Sequence, residues 1–262
     1  MPNRLSRTKF LNDLMTVKYA TINNFYSPEA KIYKGSIRQS DIYIKALLKA
    51  GIIKKIPHAI RPTIPTRETF YCPTKLGAKT IGREDEYKDK DGKAINNAMH
   101  ESMKIDIALT LIRSYRDYEF TFDYGKNISG LRPDIFVQAR KTDGTKNFTF
   151  LVEIERKRDP HRTLKEKLKK YEEICNACLI PERAKVLVVY TNVGYNGYLR
   201  PQEYDIIENK EQIRCATKNF DKLVEISKEL PAFRYRMIPF HRFNNLKEQI
   251  WIAPDKNLFN LI

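Results

Sequence analysis

The chain lacks any apolar run approaching the roughly 18 to 20 residues that a membrane-spanning helix requires, so no membrane partner is expected. Its N-terminus, MPNRLSRTKF, is basic but has no apolar segment behind it, so no secretory signal is read there and a cytoplasmic location is expected. Cysteine is scarce: 4 in all, of which only Cys175 and Cys178, in CNAC, lie close together. With neither a second close pair nor a histidine partner this is an incomplete zinc set, and the four read as small, mostly buried side chains. No internal repeat is present. Acid is scarce at one end, where residues 1–83 hold 4 Asp+Glu against 16 Lys+Arg, net +12.

What is present argues for a folded chain. Its 262 residues, 42% hydrophobic and 11% aromatic, can bury a substantial core without staples. The whole carries +16 from 48 basic and 32 acidic residues, so residues 84–262 hold only +4. A small basic segment ahead of a nearly balanced one fits a polyanion-binding module joined to something else, because phosphate neutralisation supplies most non-specific nucleic-acid affinity. A ribosome or an acidic protein partner would match the same charge.

In the front segment, KFLNDLMTVKYATINNFY reads as two short helices with an apolar stripe of Phe10, Leu11, Leu14 and Val17. SIRQSDIYIKALLKAGIIKKI reads as a third, with Ser40 as N-cap, Ile44, Leu47 and Leu48 inward, and Gly51 as the stop. IIKKI and TFYCPT read as strands around a Pro-rich loop, and TKLGAKTIG as a closing helix. The phrase "YIKALLKAGIIKK…FYCPTKLGAKTI" resembles the recognition helix, wing and closing turn of a winged helix-turn-helix. That resemblance implies double-stranded DNA as partner, with Arg38, Gln39 and Lys45 of the third helix and Arg61 and Arg67 of the wing as contacts.

Residues 84–97, EDEYKDKDGKAINN, are polar and read as a linker between a domain over 1–83 and one over 98–262. The second opens with a helix, AMHESMKIDIALTLIRSYR, with Met99, Met103, Ile107 and Leu111 on one face. Strands YEFTFDY and RPDIFVQAR follow, and KTDGTKN carries the Asp-Gly signal of a hairpin into FTFLVEIERK. A helix over 163–179, the buried strand AKVLVVYTN and a tail of alternating helix and short strands complete a mixed α/β sheet, of α+β class, in αβββαβ order.

Strand alternation places Glu153, Glu155 and Lys157 on one side of FTFLVEIERK. Asp134, on the neighbouring strand, supplies a second carboxylate. Phosphodiester cleavage needs such hard oxygen ligands for Mg²⁺ or Mn²⁺ and a cation for the developing charge. The order of elements, with Pro133-Asp134 and then Glu153-Ile154-Glu155 or Glu155-Arg156-Lys157, resembles the PD-(D/E)XK restriction-endonuclease-like superfamily. If Glu153 is the first acid, Glu155 stands where lysine is usual; if Glu155 is, Lys157 is that lysine. The first alignment is favoured because Glu153 directly follows the apolar run Phe150-Leu151-Val152. The resemblance then implies Asp134, Glu153 and Glu155 as metal ligands, with Lys157 or Lys167 stabilising the phosphoryl charge. Lys167 and Tyr171, one turn apart in LKEKLKKYEEI, are similar to the glutamine and tyrosine after the core motif of exonuclease-like members. Glu101 on the leading helix is a weaker candidate. His100, His161, the pair Glu172-Glu173 and Tyr195 and Tyr198 read as capping, surface or loop residues.

With a winged helix in front, the string "HESMKIDIALTLIR…LRPDIFV…FLVEIERKRDP…LKEKLKKYEEI…AKVLVVYTN" resembles the replication-relaxation family of plasmid and mobile-element proteins. The resemblance implies a role in plasmid replication, relaxation or mobilisation, with replication or transfer proteins and a second copy of the chain as further partners. Three functions compete: a Mg²⁺-dependent DNA endonuclease or nickase, a catalytically inactive DNA-binding accessory or transcription-regulatory protein, and a protein-interaction module.

Overall fold

Phe10, Leu11, Leu14 and Val17 are all buried along one stripe of α1 (Arg7–Val17), the spacing that makes this segment an amphipathic helix. The computed structural model describes residues 7–21, 37–56, 69–87, 98–155, 162–181, 183–190, 220–225, 227–239, 246 and 251–261. They fall into two compact units, Met1–Arg113 and Ser114–Ile262.

In the first unit the chain leaves α1 through Lys18, whose φ of 67° is left-handed, and extends into β1 (Ala20–Thr21). A strand therefore begins where a second helix is expected from the sequence, and it pairs antiparallel with β3 (Phe70–Pro73), Ala20 opposite Tyr71. Between them come α2 (Ile37–Lys49) and β2 (Ile53–Ile56), giving a three-stranded sheet in the order β1-β3-β2. Because α2 begins at Ile37, Ser40 lies inside it rather than at its cap. Gly51 does end it, at φ 65°: its N–H bonds the Leu48 carbonyl while the Ile52 N–H bonds that of Leu47, the paired closure that only a left-handed residue permits.

Thr74 then ties this stop to α3 (Lys75–Lys79). Its hydroxyl donates to the Gly51 carbonyl at 2.6 Å, its N–H donates to that of Ile52 at 3.0 Å, and its side-chain oxygen accepts from the Gly77 N–H. Gly77 is required at this junction, since a Cβ there would lie 2.2 Å from the Ile52 carbonyl oxygen. A 3-10 turn over Glu84–Glu86 opens the expected linker. The helix α4 (Ala98–Ser114) is buried on every side from Ser102 to Leu111 and belongs, up to Arg113, to the first unit instead of opening the second. Glu101 is engaged there by the Tyr19 hydroxyl and by Lys104 at 2.6 Å.

The second unit is built on one seven-stranded sheet. β4 (Tyr118–Asp123), β5 (Ile135–Lys141) and β6 (Asn147–Glu155) form an antiparallel meander; β7 (Lys185–Tyr190) and β8 (Tyr235–Pro239) continue it in parallel. β9 (Trp251–Ile252) and β10 (Leu258–Phe259) close the far edge antiparallel, so the order is β10-β9-β8-β7-β6-β5-β4. The sheet is therefore mixed and the chain α+β. The Asp-Gly hairpin between β5 and β6 turns at Gly144, φ 74°, and Asp143 accepts from the Thr145 N–H and hydroxyl, which sets the register of Ile135 opposite Val152.

The parallel pair β6–β7 requires a crossover, supplied by α5 (Arg162–Asn176). Leu164, Leu168, Tyr171 and Ile174 of α5 pack on Leu151, Val186 and Val188 of the sheet. Helical residues at 220–225 add Phe220, Leu223 and Val224 to the same core. Each such side chain taken fully out of water contributes about 1.5–3 kcal/mol. At the end of α5 the Leu179 N–H reaches the Ile174 carbonyl and Cys178 takes the left-handed position at φ 57°. CNAC is thus a helix terminus, with Cys175 buried inside and Cys178 exposed at the stop, both free thiols. No helix among the described residues is long and apolar enough to cross a membrane.

Candidate active site

β6 is central in the sheet and buried on both faces from Thr149 to Ile154, which its Phe-Leu-Val run satisfies with apolar atoms until Glu153. There a carboxylate is only 3% exposed. Burying an unpaired ion costs several kcal/mol, so the surroundings must answer it. Alternation puts Glu153 on the α5 face with Leu151, and two residues of α5 four apart reach it. Lys167 Nζ donates to Oε2 at 2.5 Å, and the Tyr171 hydroxyl donates to Oε1.

Asp134 stands immediately before β5, where the preceding proline holds the chain out of a helix. Continuing the β5–β6 register by one residue sets Asp134 across from Glu153 on the same face. The Ile154 N–H donates to Asp134 Oδ2 at 2.8 Å and locks the two strand ends together. Two carboxylates nineteen positions apart in sequence are thereby brought side by side at the carboxyl end of a parallel strand, the region where open α/β sheets hold ligands.

The electrostatics follow from that crowding. Burial, and next the charge of Asp134, push the Glu153 carboxyl up to about 7, against the opposing pull of Lys167 and Tyr171. The Tyr171 phenol is pushed well above its ordinary range by burial and by the Glu153 charge, so it stays protonated and acts as a donor. Burial and Asp134 together thus favour the protonated form of Glu153 relative to an exposed glutamate.

The other residues singled out from sequence fall as follows. Glu155 lies half-buried at the end of β6, on the Glu153 face by alternation. Among the described residues no three His, Cys, Asp or Glu side chains gather as a metal cluster. Lys157, His161, Tyr195, Tyr198, Arg61 and Arg67 lie outside the described residues, as do the side chains of Arg38 and Gln39 in the first turn of α2. Lys45 is on the exposed face of α2 with Ile42, Ala46 and Lys49. Glu172, read from sequence as a surface acid, instead forms a 2.8 Å ion pair with the buried Arg234. That partner lies 62 positions on, and no local pattern announces it. The backbone N–H of Ile154 is likewise a site group that side-chain chemistry does not reveal.

Asp134 and Glu153 fit a hard divalent cation. Mg²⁺ is commonly held by one or two carboxylates with water and substrate phosphate completing its shell, and the mutual repulsion that raises Glu153 is what a cation between the pair would relieve. Comparison with family models, curated proteins and solved structures gives no match.

Proposed function

We propose that the chain is a DNA-binding protein whose second unit is a PD-(D/E)XK-like nuclease core that cleaves phosphodiesters with Mg²⁺ or Mn²⁺. The observation that carries the reading is the convergence of Asp134 and Glu153 at adjoining strand ends, with Lys167 on Glu153. Asp134 and Glu153 would hold the ion, which when bound supplies a Lewis acid and a water of lowered pKa. Lys167, 31% exposed beside a buried glutamate, is the cation within reach of a phosphoryl group. Tyr171 is a positioning residue that holds the glutamate's other oxygen. Lys167 on α5 here stands in for the strand lysine, which agrees with Glu155 at the usual lysine position.

The first unit supports a winged helix-turn-helix reading. Helix, strand, helix and a two-stranded hairpin, with the first strand added to the hairpin edge, leave the Lys45 and Lys49 face of α2 outward. Duplex DNA is its proposed partner and plasmid replication, relaxation or mobilisation in the cytoplasm its proposed setting.

A second reading has one observation in its favour: both Glu153 oxygens are already satisfied inside the protein, as in a nuclease-like core that grips DNA without cutting it. Incubation of supercoiled and linear DNA with Mg²⁺ or Mn²⁺ separates the two. Cleavage by the wild type that is lost in Asp134→Ala and Glu153→Ala supports the nuclease; intact DNA, or equal cutting by the variants, rejects it.

A further inference from the structure

At the opposite end of the same strands lies a pocket of about 490 Å³, within the size range of small-ligand sites. It is lined by Lys146, Arg183 and Lys185, by the rings of Phe148 and Phe233, and by Asn147, with no acidic side chain among the described residues of its wall. Phe148 precedes Glu153 by five residues, so the pocket is roughly 17 Å down β6 from the carboxylate pair.

Among the described residues its cations have no carboxylate partner. Asp143 of the adjoining hairpin is taken by Lys141 at 2.8 Å and by Thr145. Lys146 and Arg183 are exposed and have no ion-pair partner among the described residues. Lys185 is half-buried; its ammonium donates to the Leu261 carbonyl at 3.0 Å and stands 5.8 Å from the centre of the Phe148 ring. Burial, and then the neighbouring Arg236, hold its pKa below the ordinary value. A partly desolvated ammonium with no carboxylate beside it among the described residues is one that an anionic ligand would stabilise. The aromatic half points to the rest of the ligand: Phe233 is 65% exposed, with the Arg234 guanidinium 5.1 Å from its ring centre. An exposed ring beside cations offers a face on which a flat group can stack.

We propose that this pocket binds a nucleotide unit, its phosphate among Lys146, Arg183 and Lys185 and its base against Phe233. Cations tracking phosphate beside an exposed aromatic face are the means by which single strands are held without sequence preference. The unit is supplied either by a single-stranded segment of DNA or by a free nucleotide. The pocket is separate from the carboxylate pair and does not rest on cleavage.

The test titrates the full chain, without divalent ions, with a labelled oligothymidylate, and competes the complex with dTMP and with inorganic phosphate. The double variant Lys146→Ala/Arg183→Ala and the single Phe233→Ala should each weaken binding about 10-fold. All three altered side chains of the pocket variants are exposed, so the fold is retained. Competition by dTMP assigns the unit to either source, and binding by the oligonucleotide alone assigns it to a strand; both support the pocket. An oligonucleotide carrying 5-iodouracil, cross-linked by light, should label Phe233 or Phe148. Labelling confined to other residues, wild-type affinity in both pocket variants, or competition by phosphate equal to that by dTMP would overturn the proposal.

Discussion

Replacing Lys167 by methionine keeps the length of the side chain and removes its charge, leaving Glu153 buried beside Asp134 with only Tyr171 to answer it. Breaking a wholly buried pair costs about 3–5 kcal/mol. Lys167 is 31% exposed and Glu153 only 4%, so water takes over part of the role; a charge-assisted bond of about 2 kcal/mol is the better measure. The loss should depend on pH. Glu153 binds its proton more tightly folded, near 7, than at its ordinary 4.5, so its contribution to stability falls as pH rises through that window. Removing Lys167 pushes the folded value higher still and prolongs the fall. Urea unfolding should therefore show Lys167→Met nearly as stable as wild type at pH 5 and about 2 kcal/mol less stable at pH 8. The double variant Glu153→Gln/Lys167→Met should recover most of that difference. Mg²⁺ should stabilise Lys167→Met more than wild type, because a bound ion answers the charge that the lysine no longer does. A cost independent of pH, or fully additive effects in the double variant, would refute the reasoning.

Three further outcomes are expected. Gly77→Ala sets a Cβ against the Ile52 carbonyl and should destabilise the first unit by about 2 kcal/mol or more, measured as a shift of its unfolding midpoint. Cys178→Gly relieves a left-handed backbone at an exposed helix stop and should stabilise the second unit by about 1 kcal/mol, read by thermal unfolding. Lys45→Ala/Lys49→Ala on the outer face of α2 should weaken duplex DNA binding and reduce the slope of log affinity against log salt by about 2; an unchanged slope would place DNA elsewhere or favour a protein partner for this unit.

The carboxylate pair was legible because its determinants are local. Alternation fixes the face of Glu153, the Asp-Gly hairpin fixes the register that brings Asp134 across, and the four-residue spacing of Lys167 and Tyr171 fixes their common side of α5. The reason Glu153 is tolerated in the core was not legible, since it depends on hydroxyl and ammonium contacts made across the helix–sheet interface. Ser40 misleads as a cap because Ser is equally compatible with the first turn, and Ala20-Thr21 mislead because the ladder to Phe70 and Tyr71 outweighs their weak helical pattern. The Arg234–Glu172 pair and the addition of β8 to β7 join residues too distant in sequence for any periodic signal.

The central claim is that Asp134 and Glu153 hold one divalent ion, and a crystal soaked in Mn²⁺ tests it most directly through the metal's anomalous scattering. The account predicts one peak bridging the two carboxylates, with Lys167 drawn off Glu153. An anomalous map with no peak at the pair, and Lys167 still seated on Glu153, would contradict it.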